Sequence, residues 1–138
     1  CSLDRSDVMK RRYKDAVETR SLYKFENEYF SGHKICKMRS MSTLRRMAKR
    51  IMKNPPRIVA HRGEYYGGRY LSYQCDDGIF LARNQREYLT LTHELVHAMG
   101  YDYHDSAFVK KYFSLLTKVF RLNKQDLVTA ARKYGVSI

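Results

Sequence analysis

The run His93-Glu94-Leu95-Val96-His97 constrains this chain more than any other feature of its 138 residues. On a helix, side chains four positions apart lie one turn above each other on one face. Two imidazoles at that spacing can grip one zinc ion, and the carboxylate beside the first can reach a water held there, whose pKa falls to about 7. With the His and Glu content of this chain, such a pattern should arise by chance in about one comparable sequence per hundred. The sequence therefore predicts a helix over about residues 85–99, ended by Gly100 in the usual stop position. His93 and His97 are its expected zinc ligands and Glu94 its catalytic base.

A catalytic zinc site keeps three protein ligands and one open position. No glutamate follows Glu94 and no methionine follows Met99, so neither a later Glu ligand nor a Met-turn is available. The spacing HExxHxxGxxH would put a third histidine at Tyr103. His104 is the last histidine of the chain, and the Tyr101-Asp102-Tyr103 loop after Gly100 can turn it back toward the metal. It is the expected third ligand; Asp102 and Asp105 are the alternatives, Asp105 reading more naturally as a helix N-cap. An attacked carbonyl also needs a donor for the charge that develops on its oxygen, and Tyr101, Tyr103 and His61 are candidates.

The rest of the chain reads as one α+β domain in three parts. Residues 1–56 form a basic helical part, 57–84 a small sheet, and 85–138 the active-site helix and C-terminal helices. A first helix is expected from about Asp4 to Phe30, broken near Ser21, with Tyr13, Ala16 and Val17 on one side and Leu22, Phe25 and Tyr29 continuing the apolar stripe. Ser31-Gly32 stops it. Ser42 is the expected N-cap of a second helix, whose Leu44, Met47, Ala48, Ile51 and Met52 make one apolar face. Pro55-Pro56 ends the helical part. Short β-type runs at Arg57–Ala60, Gly68–Gln74 and Gly78–Ala82, separated by Gly67-Gly68 and Asp76-Asp77-Gly78, predict a small antiparallel sheet with Gly78–Ala82 as the edge strand nearest the zinc helix. A helix after Asp105 or Ser106 should bury Phe108, Tyr112, Leu115, Leu116 and Val119. A last one, from about Lys124 to Tyr134, should bury Leu127, Val128 and Ala131.

Charge is distributed unevenly. The net +13 divides into +9 over residues 1–56, −1 over 57–104 and +5 over 105–138. Basic flanks favour contact with polyanions, most often nucleic acid, and Arg45, Arg46, Lys49, Arg50 and Lys53 on the second helix are the candidate contacts. That helix could lie on a membrane surface, but a small domain needs its apolar face for the core. No apolar run approaches the roughly 20 residues of a membrane span, so no membrane insertion is expected. Cys1, Cys36 and Cys75 are too few and too widely spaced for a disulfide framework or a cysteine zinc cluster, which suggests a reducing, intracellular setting. The chain is charged from Asp4 onward, without a cleavable-signal pattern, and it opens on Cys1 rather than Met, which leaves room for a segment upstream.

The segment His93-Glu-Leu-Val-His97, Ala-Met-Gly100, then His104-Asp105-Ser-Ala-Phe108 resembles the SprT-like and WSS-like zinc metallopeptidases, in which a third histidine follows HExxH and a buried aromatic comes four residues later. Leu22-Tyr-Lys-Phe25-Glu-Asn27-Glu-Tyr29-Phe30-Ser-Gly32 is similar to the N-terminal helix of SprT-like domains. The resemblance implies a zincin-like fold and a zinc-dependent endopeptidase, with protein bound or crosslinked to DNA as its substrate. The short spacing from His97 to His104 is nearer the WSS type, and no cysteine-rich zinc ribbon follows as it does in full-length SprT or Spartan proteins. A compact viral or phage relative would suit the size, with a virion-associated location. The competing expectations are a non-enzymatic nucleic-acid-binding module with structural zinc and a structural component of a larger assembly such as a virion.

Overall fold

The computed structural model describes the backbone of residues 5–66 and 68–138 and the side chains of residues 15–65 and 68–138. The expectations for Cys1, the Tyr13 side chain and Gly67 lie outside those residues. Among the described residues the fold is α+β, with five α-helices and two small sheets.

Helix α1 (Arg5–Tyr29) runs through Ser21 without the expected break. Leu22 and Phe25, directly after that serine, are fully buried, and their packing outweighs a modest propensity penalty. Ala16 and Val17 are exposed rather than inward; the buried stripe is Glu18, Leu22 and Phe25. Helix α2 (Met41–Ile51) is capped by Ser40, not Ser42: the Ser40 hydroxyl accepts from the Thr43 amide at 3.2 Å. Its Leu44, Met47 and Ala48 are buried as the spacing predicts.

The sheet differs from the expected antiparallel one. Strand β5 (Gly78–Leu81) is central, parallel to β1 (Ile58–Ala60) and antiparallel to β4 (Tyr73–Cys75). Residues 61–77 between β1 and β5 are long enough for the crossover that a parallel pair requires, and they carry β4 and a separate hairpin of β2 (Glu64–Tyr66) and β3 (Arg69–Leu71). With both edges paired, β5 cannot be the edge strand. Gly78 is needed where it enters: at φ 140° a Cβ there would sit 2.6 Å from the Arg57 carbonyl oxygen, the atom that accepts from the Ile79 amide. The run 68–74 is two strands because Ser72 breaks it. The Ser72 amide donates to Gln85 Oε1 at 2.6 Å and its Oγ accepts from the Ala82 amide at 2.8 Å, so this residue ties to the loop before the next helix instead of to a strand.

Helix α3 (Tyr88–Ala98) lies between two apolar clusters. Leu89 and Val96 join Leu22, Phe25, Phe108, Tyr112 and the interior of α4 (Ser106–Phe120) and α5 (Lys124–Lys133). Leu91 and Leu95 join α2 and the sheet residues Ile58, Ile79 and Leu81. A helix with apolar residues on both sides is stable when it is covered on both sides, and α3 is buried from Leu91 to Val96. Asp105 caps α4, its Oδ1 accepting from the Phe108 amide at 3.1 Å; Asn123 caps α5. Phe108, Tyr112, Leu115 and Leu116 are buried as expected, whereas Val119 is only partly so and packs toward the sheet cluster. In α5, Leu127 and Ala131 are buried and Val128 is half-buried.

Candidate metal centre

The turn after α3 brings the third histidine back. Gly100 takes φ 105°, a conformation open to glycine without strain, and the chain returns so that His104 faces His93 and His97. Its Nε2 lies 3.2 Å from His93 Nε2 and 3.1 Å from His97 Nε2, and ligand atoms of all three rings lie within 4.8 Å of one another. Neighbouring nitrogens around a tetrahedral zinc, at a Zn–N distance of about 2.0–2.1 Å, are separated by about 3.3 Å. Phe108 supports the trio, its ring centroid 4.9, 4.7 and 5.2 Å from those of His93, His97 and His104.

The opposite nitrogens are all engaged. His93 Nδ1 lies 2.9 Å from Glu26 Oε2, which also accepts from the Tyr112 hydroxyl at 2.6 Å. His97 Nδ1 donates to the Tyr101 carbonyl oxygen at 2.7 Å. His104 Nδ1 lies 2.7 Å from Thr19 Oγ1 and 3.4 Å from Asp15 Oδ1, and the same Asp15 oxygen accepts from the His104 amide at 2.9 Å. A proton held at Nδ1 leaves the Nε2 lone pair free to ligate, and such outer hydrogen bonds orient metal-binding imidazoles. Three lone pairs aimed at one point repel unless a cation or a proton lies among them, so the donor set fits a metal ion.

Burial shapes the titration of the cluster. It lowers His97 to about 3 and His104 to about 4, the charge of His93 adding in both cases. For His93, burial also favours the neutral ring, but the charge and hydrogen bond of Glu26 outweigh it and raise the pKa. Two rings are thus held as neutral bases, the form that binds metal. Glu94 is pushed up to about 7, chiefly by burial, with His93 pulling it back and Glu26 adding to the rise.

His93 and Glu94 form part of the wall of a cleft of about 1020 Å³. Residues of α1 and the turn after it, of the Ala60–Arg62 segment, of β3 and of the loop from Ala82 to Glu87 contribute to the rest. Among the sequence candidates, His61 lines this cleft; its Nδ1 accepts from the Gly63 amide at 2.9 Å, which leaves Nε2 to carry the proton. Tyr101 packs against the main core and contributes its carbonyl to His97. Tyr103 is exposed. Asp105 is the α4 cap, and Asp102 is exposed. Arg45, Arg46, Lys49, Arg50 and Lys53 are all exposed, and none lines the cleft. Arg45 donates to the Ile58 carbonyl and Arg46 to the Thr43 hydroxyl.

Sequence reasoning missed the contribution of α1. Asp15, Thr19, Tyr23 and Glu26 recur at intervals of four, four and three and all meet the histidines. Tyr23 lines the cleft, its ring 5.8 Å from His93 and 5.7 Å from His104. Its pKa is raised by burial and then by Glu26, Glu94 and Asp15, so it stays a neutral hydroxyl. The available signal was a polar stripe at helical spacing beside the apolar one. Comparison of the chain with protein-family models, with curated proteins and with solved structures finds no match.

Proposed function

We propose that this protein is a zinc-dependent endopeptidase with a zincin-like arrangement, His93, His97 and His104 holding the ion and Glu94 serving as the base. The observation that carries the reading is the convergence of three Nε2 atoms beside a buried carboxylate on the wall of an open cleft. Zinc, when bound, supplies a Lewis acid and lowers the pKa of a water to about 7. Glu94 takes a proton as the water oxygen bonds to the peptide carbonyl carbon, and gives it to the amine nitrogen as the C–N bond breaks. Tyr23, and His61 through Nε2–H, are donors on the cleft lining suited to the oxyanion. Strand β3 has no strand partner on its second edge among the described residues, and its residues line the cleft. An extended substrate would add to that edge. This replaces Gly78–Ala82, which is internal.

The SprT-like and WSS-like resemblance and the basic face of α2 extend the proposal to proteins associated with DNA. The same basic face supports a second reading, a nucleic-acid-binding module whose metal is structural. Metal analysis of the purified protein, with casein cleavage measured with and without single-stranded DNA, separates the two. The peptidase predicts about one zinc per chain and chelator-sensitive cleavage, and a Glu94→Gln protein that keeps zinc and loses activity about 10²–10⁴-fold. Undiminished cleavage by zinc-loaded Glu94→Gln would reject the mechanism. Salt-sensitive DNA binding with no cleavage would favour the binding module.

A further inference from the structure

The near-neutral middle of the chain conceals a sorting of charge. Residues 57–104 contain five arginines, no lysine and six acids. Four of those arginines, Arg62, Arg69, Arg83 and Arg86, line the cleft, whereas only Glu87 and Glu94 of the acids do, joined by Glu26 from α1. The three carboxylates are committed or buried. Glu26 accepts from Tyr112 and pairs with His93, Glu87 accepts from the Thr90 hydroxyl at 3.0 Å, and Glu94 is buried beside the histidines. Burial also raises the pKa of Glu87.

The arginines, by contrast, are available. Arg62, Arg69 and Arg83 are exposed. Arg62 lies over the Tyr70 ring at 4.9 Å, and Arg86 makes a long contact to the Leu81 carbonyl at 3.5 Å. Among the described residues the ion pairs are the two histidine–carboxylate contacts, so none of the four guanidiniums has an acidic partner there. They come from two segments of the cleft lining, Arg62 just before β2 and Arg69 at the start of β3, and Arg83 and Arg86 on the loop that leads into α3.

We propose that this cleft selects extended peptide segments rich in Asp and Glu, their carboxylates paired with Arg62, Arg69 and Arg83 while the main chain adds to β3. The inference rests on the peptidase reading and names its substrate class. Guanidinium groups offer paired donors matched to carboxylates. A peptide is favoured over a nucleic-acid strand because an open strand edge presents alternating N–H and C=O groups, which another peptide matches and a sugar–phosphate chain does not.

Binding and cleavage test it separately. Zinc-loaded Glu94→Gln protein is titrated with short fluorescein-labelled peptides, acidic, neutral and basic, by anisotropy, with a single-stranded oligonucleotide as competitor. The acidic peptide should bind about tenfold or more tighter than the neutral one, the gap narrowing as salt is raised. Arg62→Glu/Arg83→Glu, and the milder Arg62→Gln/Arg83→Gln if the first misfolds by circular dichroism, should erase or invert that order. Equal binding of all three peptides, or displacement of the acidic peptide by a tighter-binding oligonucleotide, overturns the proposal. Wild-type cleavage of a mixed peptide library with no acidic bias overturns it too, leaving the peptidase standing. Arginine-dependent acidic binding without cleavage would support this selectivity and remove the peptidase instead.

Discussion

Helices α3 and α1 build the candidate metal centre together but in different ways. α3 contributes His93 and Glu94 from a stretch buried through Val96 and the half-buried His97 just after it, and the Nε2 atoms of both histidines approach His104 Nε2. α1 contributes Asp15, Thr19, Tyr23 and Glu26, whose polar atoms are spent on holding the rings or on facing the cleft. One helix carries atoms suited to hold a cation; the other carries atoms that set how well those are aligned. Removing a group from α3 should therefore abolish a property, and removing one from α1 should grade it.

The largest effect expected is from His97→Ala. Loss of one of three ligands should leave no stoichiometric zinc and no measurable hydrolysis, checked by metal analysis after gel filtration. Tyr23→Phe should come next: zinc content unchanged and kcat reduced about 10²–10³-fold if the phenol serves the oxyanion. A Tyr23→Phe protein with full kcat would move that role to His61. Glu26→Gln should weaken zinc binding about 10–100-fold without abolishing it. It should also lower the melting temperature, because the Tyr112 hydroxyl and His93 Nδ1 share that carboxylate in a buried place. Zinc loss in Glu26→Gln as complete as in His97→Ala would break the division of labour between the helices.

The same contrast governs what could be read in advance. The convergence of the α3 histidines was legible because five consecutive residues encode their geometry, and His104 followed as the candidate third ligand by elimination among few histidines. The partners on α1 lie 67 to 89 positions from the groups they touch. In the sequence their polar stripe reads first as a solvated helix face, and Ala16 and Val17 drew the apolar reading away from the buried side. The three expected strand runs were placed nearly correctly, but Glu64–Tyr66 was not expected and β1 pairs parallel to β5, since runs of three or four residues carry no periodic signal of direction. Ser72 had no local feature to mark it as the break between β3 and β4. The arginine wall was hidden by the near-zero net charge of the segment that holds it.

Thr19→Val should give the smallest change. The hydroxyl 2.7 Å from His104 Nδ1 is lost, but Asp15 Oδ1 stands 3.4 Å from the same nitrogen and is anchored by the His104 amide. A small turn of the ring gives the Nδ1 proton that carboxylate as its acceptor, and a charged acceptor is the stronger one. Zinc affinity should fall less than about tenfold, measured by competition with a chromogenic chelator, and the double variant Thr19→Val/Asp15→Asn should lose more than the two single changes together. Simple additivity in that cycle would mean the two groups act independently on His104, and α1 would then hold its ligand by separate contacts rather than by one interchangeable pair.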